Sequence, residues 1–137
     1  SGLPYAFFCN SGTEAVEACL KFARRYWHTQ GDTARTGIVA LEGAFHGRTF
    51  GSLSVTSGEN YRTPFKPLVP GVMFVPPDNP VAIRAAVTPG TAAIIVEPIQ
   101  GEAGVRPIPP ESAATLAELS LPLPWADQWR PVRGGRA

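Results

Sequence analysis

Lysine is scarce in this chain: Lys21 and Lys66 are the two among 137 residues, against ten arginines. Lys21 falls on the polar face of a helical segment and Lys66 lies in a proline-flanked loop, so neither is placed as an amine nucleophile. Cysteine and histidine are as sparse, with Cys9, Cys19, His28 and His46. Cys9 ends an apolar strand-like run and Cys19 sits on the apolar stripe of a helix, which predicts two buried free thiols and disfavours both a disulfide and a cysteine hydrolase using His46. His28 is expected in solvent at the polar end of that helix. No histidine, cysteine or carboxylate spacing supports a metal site. Net charge is +1, which excludes electrostatic recruitment of nucleic acid or a membrane surface. No apolar run approaches the roughly 20 residues that span a bilayer, and Ser1-Gly2-Leu3-Pro4 has none of the regions of a signal peptide, so a cytoplasmic protein is expected. The sequence has no initiating Met and enters a strand abruptly, and a fragment is therefore expected; internal repeats are absent.

What is present is an alternation. With 44% hydrophobic residues the chain can bury a core. The run Tyr5-Ala6-Phe7-Phe8-Cys9 reads as a strand leading into the turn Asn10-Ser11-Gly12. A helix follows, with capping-box spacing of Ser11 and Glu14, an apolar stripe of Ala15, Cys19, Phe22, Ala23 and Tyr26, and closure at Gly31. Ile38 to Leu41 is too continuously apolar for a one-faced strand and suits a parallel sheet covered on both sides. Residues 56–70 read as a long irregular connection, Val72 to Val75 as a strand, and Asn79-Pro80 as the capped start of a helix running to about Val87. Ala92 to Val96 is another buried strand, and Pro110-Glu111 opens a helix to about Leu119. This order predicts an α/β fold with a mostly parallel sheet, flanking helices and ligands at the carboxyl ends of the strands. After Ser120 the periodicity ends. Residues 1–120 are read as one partial domain and 121–137 as a divergent, disordered tail with the look of an out-of-frame reading.

Three short motifs carry the chemistry. Ser11-Gly12-Thr13 opens a helix, where first-turn N–H groups lack intrahelical partners and the dipole favours an anion; it fits a phosphate site, although an ordinary capping box is the commoner use of such a motif taken alone. Phe45-His46-Gly47-Arg48-Thr49 follows a strand, so that Phe45 could stack on a heteroaromatic ring while Arg48 grips a carboxylate; a core Phe and a surface Arg are the plainer alternative. Glu97-Pro98-Ile99-Gln100-Gly101-Glu102 follows another strand. Its carboxylates are either solvated or functional, and Glu102, on a glycine-flanked loop expected to be flexible, could pair with an arginine or meet a substrate ammonium.

Taken together and in this order, the motifs resemble the class III aminotransferases that use pyridoxal phosphate (PLP), from Phe7 to about residue 119, and within them the acetylornithine type. The supporting residues are Phe7 to Ala15, Ala44 to Thr49, Leu53 to Thr56, Tyr61-Arg62 and Pro67 to Gly71. The resemblance implies part of the large domain of a fold-type I PLP-dependent transferase. It implies cofactor contacts from Ser11, Gly12, Thr13, Phe45 and His46, with Phe45 covering the pyridine ring and His46 packed or hydrogen-bonded beside it. It implies substrate contacts from Arg48, which holds the α-carboxylate, from Glu97, and from Glu102, which pairs with a distant arginine and releases it to 2-oxoglutarate. The implied reaction passes the distal amino group of N-acetylornithine to 2-oxoglutarate, in arginine biosynthesis, in a homodimer. Ornithine, succinylornithine and 4-aminobutyrate are the alternative donors, and a non-catalytic remnant the alternative role. No catalytic residue is assigned: Leu121-Pro122-Leu123-Pro124-Trp125 stands where the family's pyridine-binding aspartate is expected, and neither lysine matches its Schiff-base lysine.

Overall fold

In the computed structural model, residues 6–120 are described. The elements are α1 (Gly12–Thr29), β1 (Gly37–Leu41), α2 (Phe50–Val55), α3 (Glu59–Arg62), a single 3-10 turn (Thr63–Phe65), β2 (Val72–Val75), α4 (Pro80–Ala86), β3 (Thr91–Ile95), β4 (Ile99–Gln100), β5 (Arg106–Pro107) and α5 (Pro110–Ser120). The main sheet has the order β2-β1-β3 and is parallel throughout. Strand β1 lies in the middle, and its four residues from Ile38 to Leu41 are all buried, which explains a run without polar alternation.

Alternate side chains of the strands feed two cores. Val39, Leu41 and Val75 meet Ile83 and Ala86 of α4, with Leu116 and Leu119 of α5 packed outside them. Ile38, Ala40 and Ala92 meet Val55 of α2 and the α1 residues Val16, Leu20 and Trp27 on the opposite face. Helices thus cover both faces, as expected for an α/β layer structure.

Helix α1 begins as read, with the Ser11 hydroxyl accepting from the Glu14 N–H at 3.4 Å and donating to the Glu14 carboxylate at 2.9 Å. It closes at Gly31, whose φ of 83° is the left-handed turn that glycine takes at low cost. The stripe facing the sheet is shifted by one residue from expectation: Val16, Leu20 and Trp27 pack inward, while Cys19 and Phe22 are exposed. Periodicity alone cannot choose between overlapping stripes on a helix whose apolar arc is this wide. The expected pair of buried thiols is corrected accordingly, with Cys9 half-buried and Cys19 exposed.

Two further expectations change. Residues 56–70 are not wholly irregular, since α3 and the 3-10 turn occupy 59–65. The segment after β3 is not a plain loop either: Ile99–Gln100 pairs antiparallel with Arg106–Pro107. The expected tail, 121–137, lies outside the described residues. None of the helices among the described residues is long and apolar enough to cross a membrane.

Candidate active site

The loop that follows β1 is where the three motifs meet. Its end near the sheet is held by the Glu42 N–H donating to the Val75 carbonyl at 2.9 Å, and by the Gln100 side chain donating to the Glu42 carbonyl at 2.8 Å. Gln100 is 2% exposed, so this amide is a buried brace between the first strand's exit and the third motif. Further along, the His46 N–H donates to the buried Thr56 hydroxyl at 2.9 Å. Gly47, at a φ of 122°, then turns the chain against the start of α1, where an added Cβ would overlap the Thr13 hydroxyl and stand 2.7 Å from that of Ser52.

Hydroxyls knit the phosphate-type turn to this loop. The Thr13 hydroxyl is 2.6 Å from that of Ser52 and 3.0 Å from that of Thr49. Thr49 donates to the Glu17 carboxylate at 2.5 Å, and the same carboxylate oxygen accepts the N–H groups of Gly51 at 2.8 Å and Ser52 at 3.1 Å. Glu17 therefore caps α2 from a neighbouring helix, since Thr49 makes no cap of its own. Burial pushes the Glu17 carboxyl up, but hydrogen bonds from Thr49, Ser52 and Gly51, with the Lys21 charge, outweigh it and hold the group below its ordinary value. Sequence reading missed Glu17; its spacing of four from Lys21 gives an ordinary surface helix pair and no hint of the loop it caps.

With the Ser11 and Thr13 hydroxyls engaged inside the protein, the donors left facing outward at this turn are backbone ones. The Gly12 and Thr13 N–H groups have no partner among the described residues, and nothing lies within 4 Å of where a Gly12 Cβ would be. This is an open cradle at a helix start, suited to an anion.

Glu97 has both carboxylate oxygens committed. One accepts the Phe45 N–H at 3.0 Å and the other the Gly101 N–H at 2.9 Å, so Glu97 ties the second motif to the third through backbone. His46, close enough for the Glu97 charge to act on it, has its pKa lowered because burial outweighs that charge, and it is neutral at neutral pH. Its Nε2 is buried without a hydrogen-bond partner among the described residues, an orphan polar atom of the kind a ligand can satisfy. Phe45 is half-buried. Arg48 is exposed, with its Cζ 4.0 Å from the centre of the Tyr61 ring and 5.8 Å from that of Phe45, and it donates no hydrogen bond among the described residues. Glu102 is exposed at the tip of the β4–β5 hairpin, without an ion pair among the described residues.

Thus Ser11, Gly12, Thr13, Phe45, His46, Arg48 and Glu97 come from the ends of α1, β1 and β3 to one connected region, and Glu102 stands at its edge. The two lysines do not join it: Lys66 pairs with Glu59 at 3.0 Å, and Lys21 is exposed on α1. Asp32 and Asp78, the aspartates among the described residues, are both exposed and lie outside it.

The family profile described as aminotransferase class-III matches residues 5–121. The chain belongs to the class III aminotransferases. An Archaeoglobus fulgidus acetylornithine aminotransferase is 50% identical over 119 residues, which cover 87% of this chain and 30% of that protein. A Pyrococcus furiosus protein named for LysW-aminoadipate semialdehyde/glutamate semialdehyde transaminase is 52% identical over 116 residues, 85% of this chain and 30% of the relative. Among solved structures, an amine transaminase from an uncultivated Pseudomonas species in its PLP-bound form superposes with a TM-score of 0.78 at 28% identity, covering 88% of this chain and 32% of that one. The ornithine aminotransferase of Toxoplasma gondii gives 0.76 at 30% identity, over 83% of this chain and 28% of that one. This class III aminotransferase chain thus spans about a third of the length of the relatives it matches.

Pyridoxal phosphate is the cofactor of the family, and the residues present suit its binding end: an open N–H cradle at Gly12 and Thr13, an aromatic ring at Phe45 and the orphan His46 Nε2. The match ends at residue 121.

Proposed function

We propose that these residues form the cofactor- and carboxylate-binding part of an aminotransferase that moves the distal amino group of N-acetylornithine to 2-oxoglutarate, yielding glutamate and an aldehyde within arginine biosynthesis. The observation that carries this reading is the convergence of the helix-start cradle, the Phe45 ring and the unpaired Arg48 guanidinium on one loop. The similarity to acetylornithine aminotransferases supports the donor. The relative named for LysW-aminoadipate semialdehyde/glutamate semialdehyde favours a second reading, in which the substrate pair is such a semialdehyde and its amine. In both, the amine reacts at the end remote from a held carboxylate.

Pyridoxal phosphate, when bound, supplies the electron sink for the transfer. The chain's own work is orientation. Gly12 and Thr13 donate backbone hydrogen bonds to the phosphate, and the α1 dipole favours its charge. Phe45 would cover the cofactor's ring, and the unpartnered His46 Nε2 would meet a polar group beside it. Arg48 takes the donor's α-carboxylate in a bidentate pair and leaves the distal amine free to reach the reacting centre, the arrangement through which fixed geometry lowers a barrier. Glu97 positions Phe45 through the Phe45 N–H rather than touching substrate, and Glu102 would pair, in the complete protein, with a distant arginine and yield it to 2-oxoglutarate. The complete protein, to which this chain, inactive alone, supplies the binding part, acts as a cytoplasmic homodimer on small-molecule substrates, without nucleic acid or membrane.

The test places residues 5–120 in the full-length Archaeoglobus fulgidus enzyme in exchange for the segment they match, and measures kcat/KM for N-acetylornithine, ornithine, succinylornithine and 4-aminobutyrate. N-acetylornithine should lead, and Arg48→Ala should cost about 2–4 kcal/mol in kcat/KM for every donor with an α-carboxylate, with Arg48→Lys keeping only part of the wild-type efficiency. Preference for 4-aminobutyrate, or full efficiency in Arg48→Ala, contradicts the assignment.

A further inference from the structure

We propose that Tyr61 is a positioning residue of the carboxylate clamp, holding Arg48 ready without using any of its hydrogen-bond donors. The proposal rests on the reading of Arg48 given above. An arginine side chain in solvent samples many rotamers, and a clamp built on it must restrict them before the carboxylate arrives. An acidic neighbour would do so by occupying the N–H groups that the substrate needs. The Arg48 Cζ instead lies over the Tyr61 ring, 4.0 Å from its centre, a cation–π attraction that uses none of the guanidinium's hydrogen-bond donors.

Tyr61 is itself held from two sides. Its ring meets that of Phe45 nearly edge-on, with centroids 6.1 Å apart and an interplanar angle of 84°. Its backbone N–H donates to the Gly58 carbonyl at 3.1 Å, and an added Cβ on Gly58 would come within 2.8 Å of the Tyr61 Cδ2. The ring therefore occupies space that a side chain at position 58 would take. The Tyr61 hydroxyl makes no hydrogen bond among the described residues, so the ring and not the phenol is the working part. One aromatic residue thereby sets the spacing between the ring expected over the cofactor and the cation expected on the substrate.

The experiment uses the full-length exchange protein and N-acetylnorvaline, which is N-acetylornithine without its distal amine, so that binding is read apart from chemistry. Tyr61→Leu should raise the Kd for N-acetylnorvaline and the KM for N-acetylornithine by roughly fivefold, the scale of one exposed cation–π contact, with kcat nearly unchanged. Tyr61→Phe should behave as wild type. Gly58→Ala, which keeps the ring but displaces it, should weaken binding in the same direction. Unchanged affinity in both Tyr61→Leu and Gly58→Ala, while Arg48→Ala binds weakly, overturns the role of Tyr61 alone. Unchanged affinity in Arg48→Ala overturns the reading of the clamp itself, and the proposal with it.

Discussion

The carboxylate of Glu17 accepts the hydroxyl of Thr49 at 2.5 Å, joining the helix that starts at the phosphate-type cradle to the residue that follows Arg48. Because the same oxygen caps α2 at Gly51 and Ser52, one side chain fixes the position of the loop relative to the helix. Glu17→Ala should cost about 1–2 kcal/mol of stability, as for loss of a helix cap. The pH dependence follows from the lowered pKa. In the folded chain Glu17 stays charged where the unfolded chain, with an ordinary value of 4.5, takes up a proton; its contribution is complete above that value and is lost as pH falls through the lower folded one. Melting temperature should therefore fall more steeply in wild type than in Glu17→Gln between about pH 5 and pH 3. Parallel curves for the two proteins over that range would show that Glu17 does not brace the loop.

Gly47 has both a left-handed backbone and no room for a side chain. Gly47→Ala should lose at least about 1–3 kcal/mol of stability, the scale for strained backbone, and should weaken PLP binding because the Thr13 hydroxyl has to move. Denaturant titration and a cofactor titration check the two effects; wild-type values in both contradict the packing described.

Lys21 and Lys66 lie away from the candidate site, one exposed on α1 and the other paired with Glu59. Incubation of the 137-residue polypeptide with PLP followed by borohydride should give no stoichiometric pyridoxyl-lysine and no transaminase activity. A single modified lysine accompanied by turnover of N-acetylornithine would refute this.

Much of the fold was legible because its signals are local. Ser11 before Gly12 and Asn79 before Pro80 mark helix starts by cap chemistry, and the unbroken run from Ile38 to Leu41 marks a central parallel strand. The β4–β5 hairpin was not legible, since two-residue strands have too few residues for a period. The inward stripe of α1 was misread by one residue because contact with the sheet, not spacing, decides between Cys19 and Leu20. At the site, the motifs named residues but not their partners. Glu97 binds the backbone N–H of Phe45, 52 positions away, and the Tyr61 ring meets the Arg48 guanidinium from a separate helix; such relationships leave no mark in either segment alone.

The central claim is that the cradle at Gly12 and Thr13 receives the cofactor's phosphate. Gly12 has no left-handed φ and nothing within 4 Å of a Cβ position, so Gly12→Ala is free of cost within the protein and obstructs only what docks there. The measurement is the equilibrium affinity of the full-length exchange protein for PLP and for pyridoxal, with and without Gly12→Ala. The substitution should leave melting temperature and pyridoxal affinity unchanged and weaken PLP roughly tenfold or more, as expected when charge-assisted backbone contacts to a phosphate are displaced. Equal PLP affinity in Gly12→Ala and wild type would contradict the account.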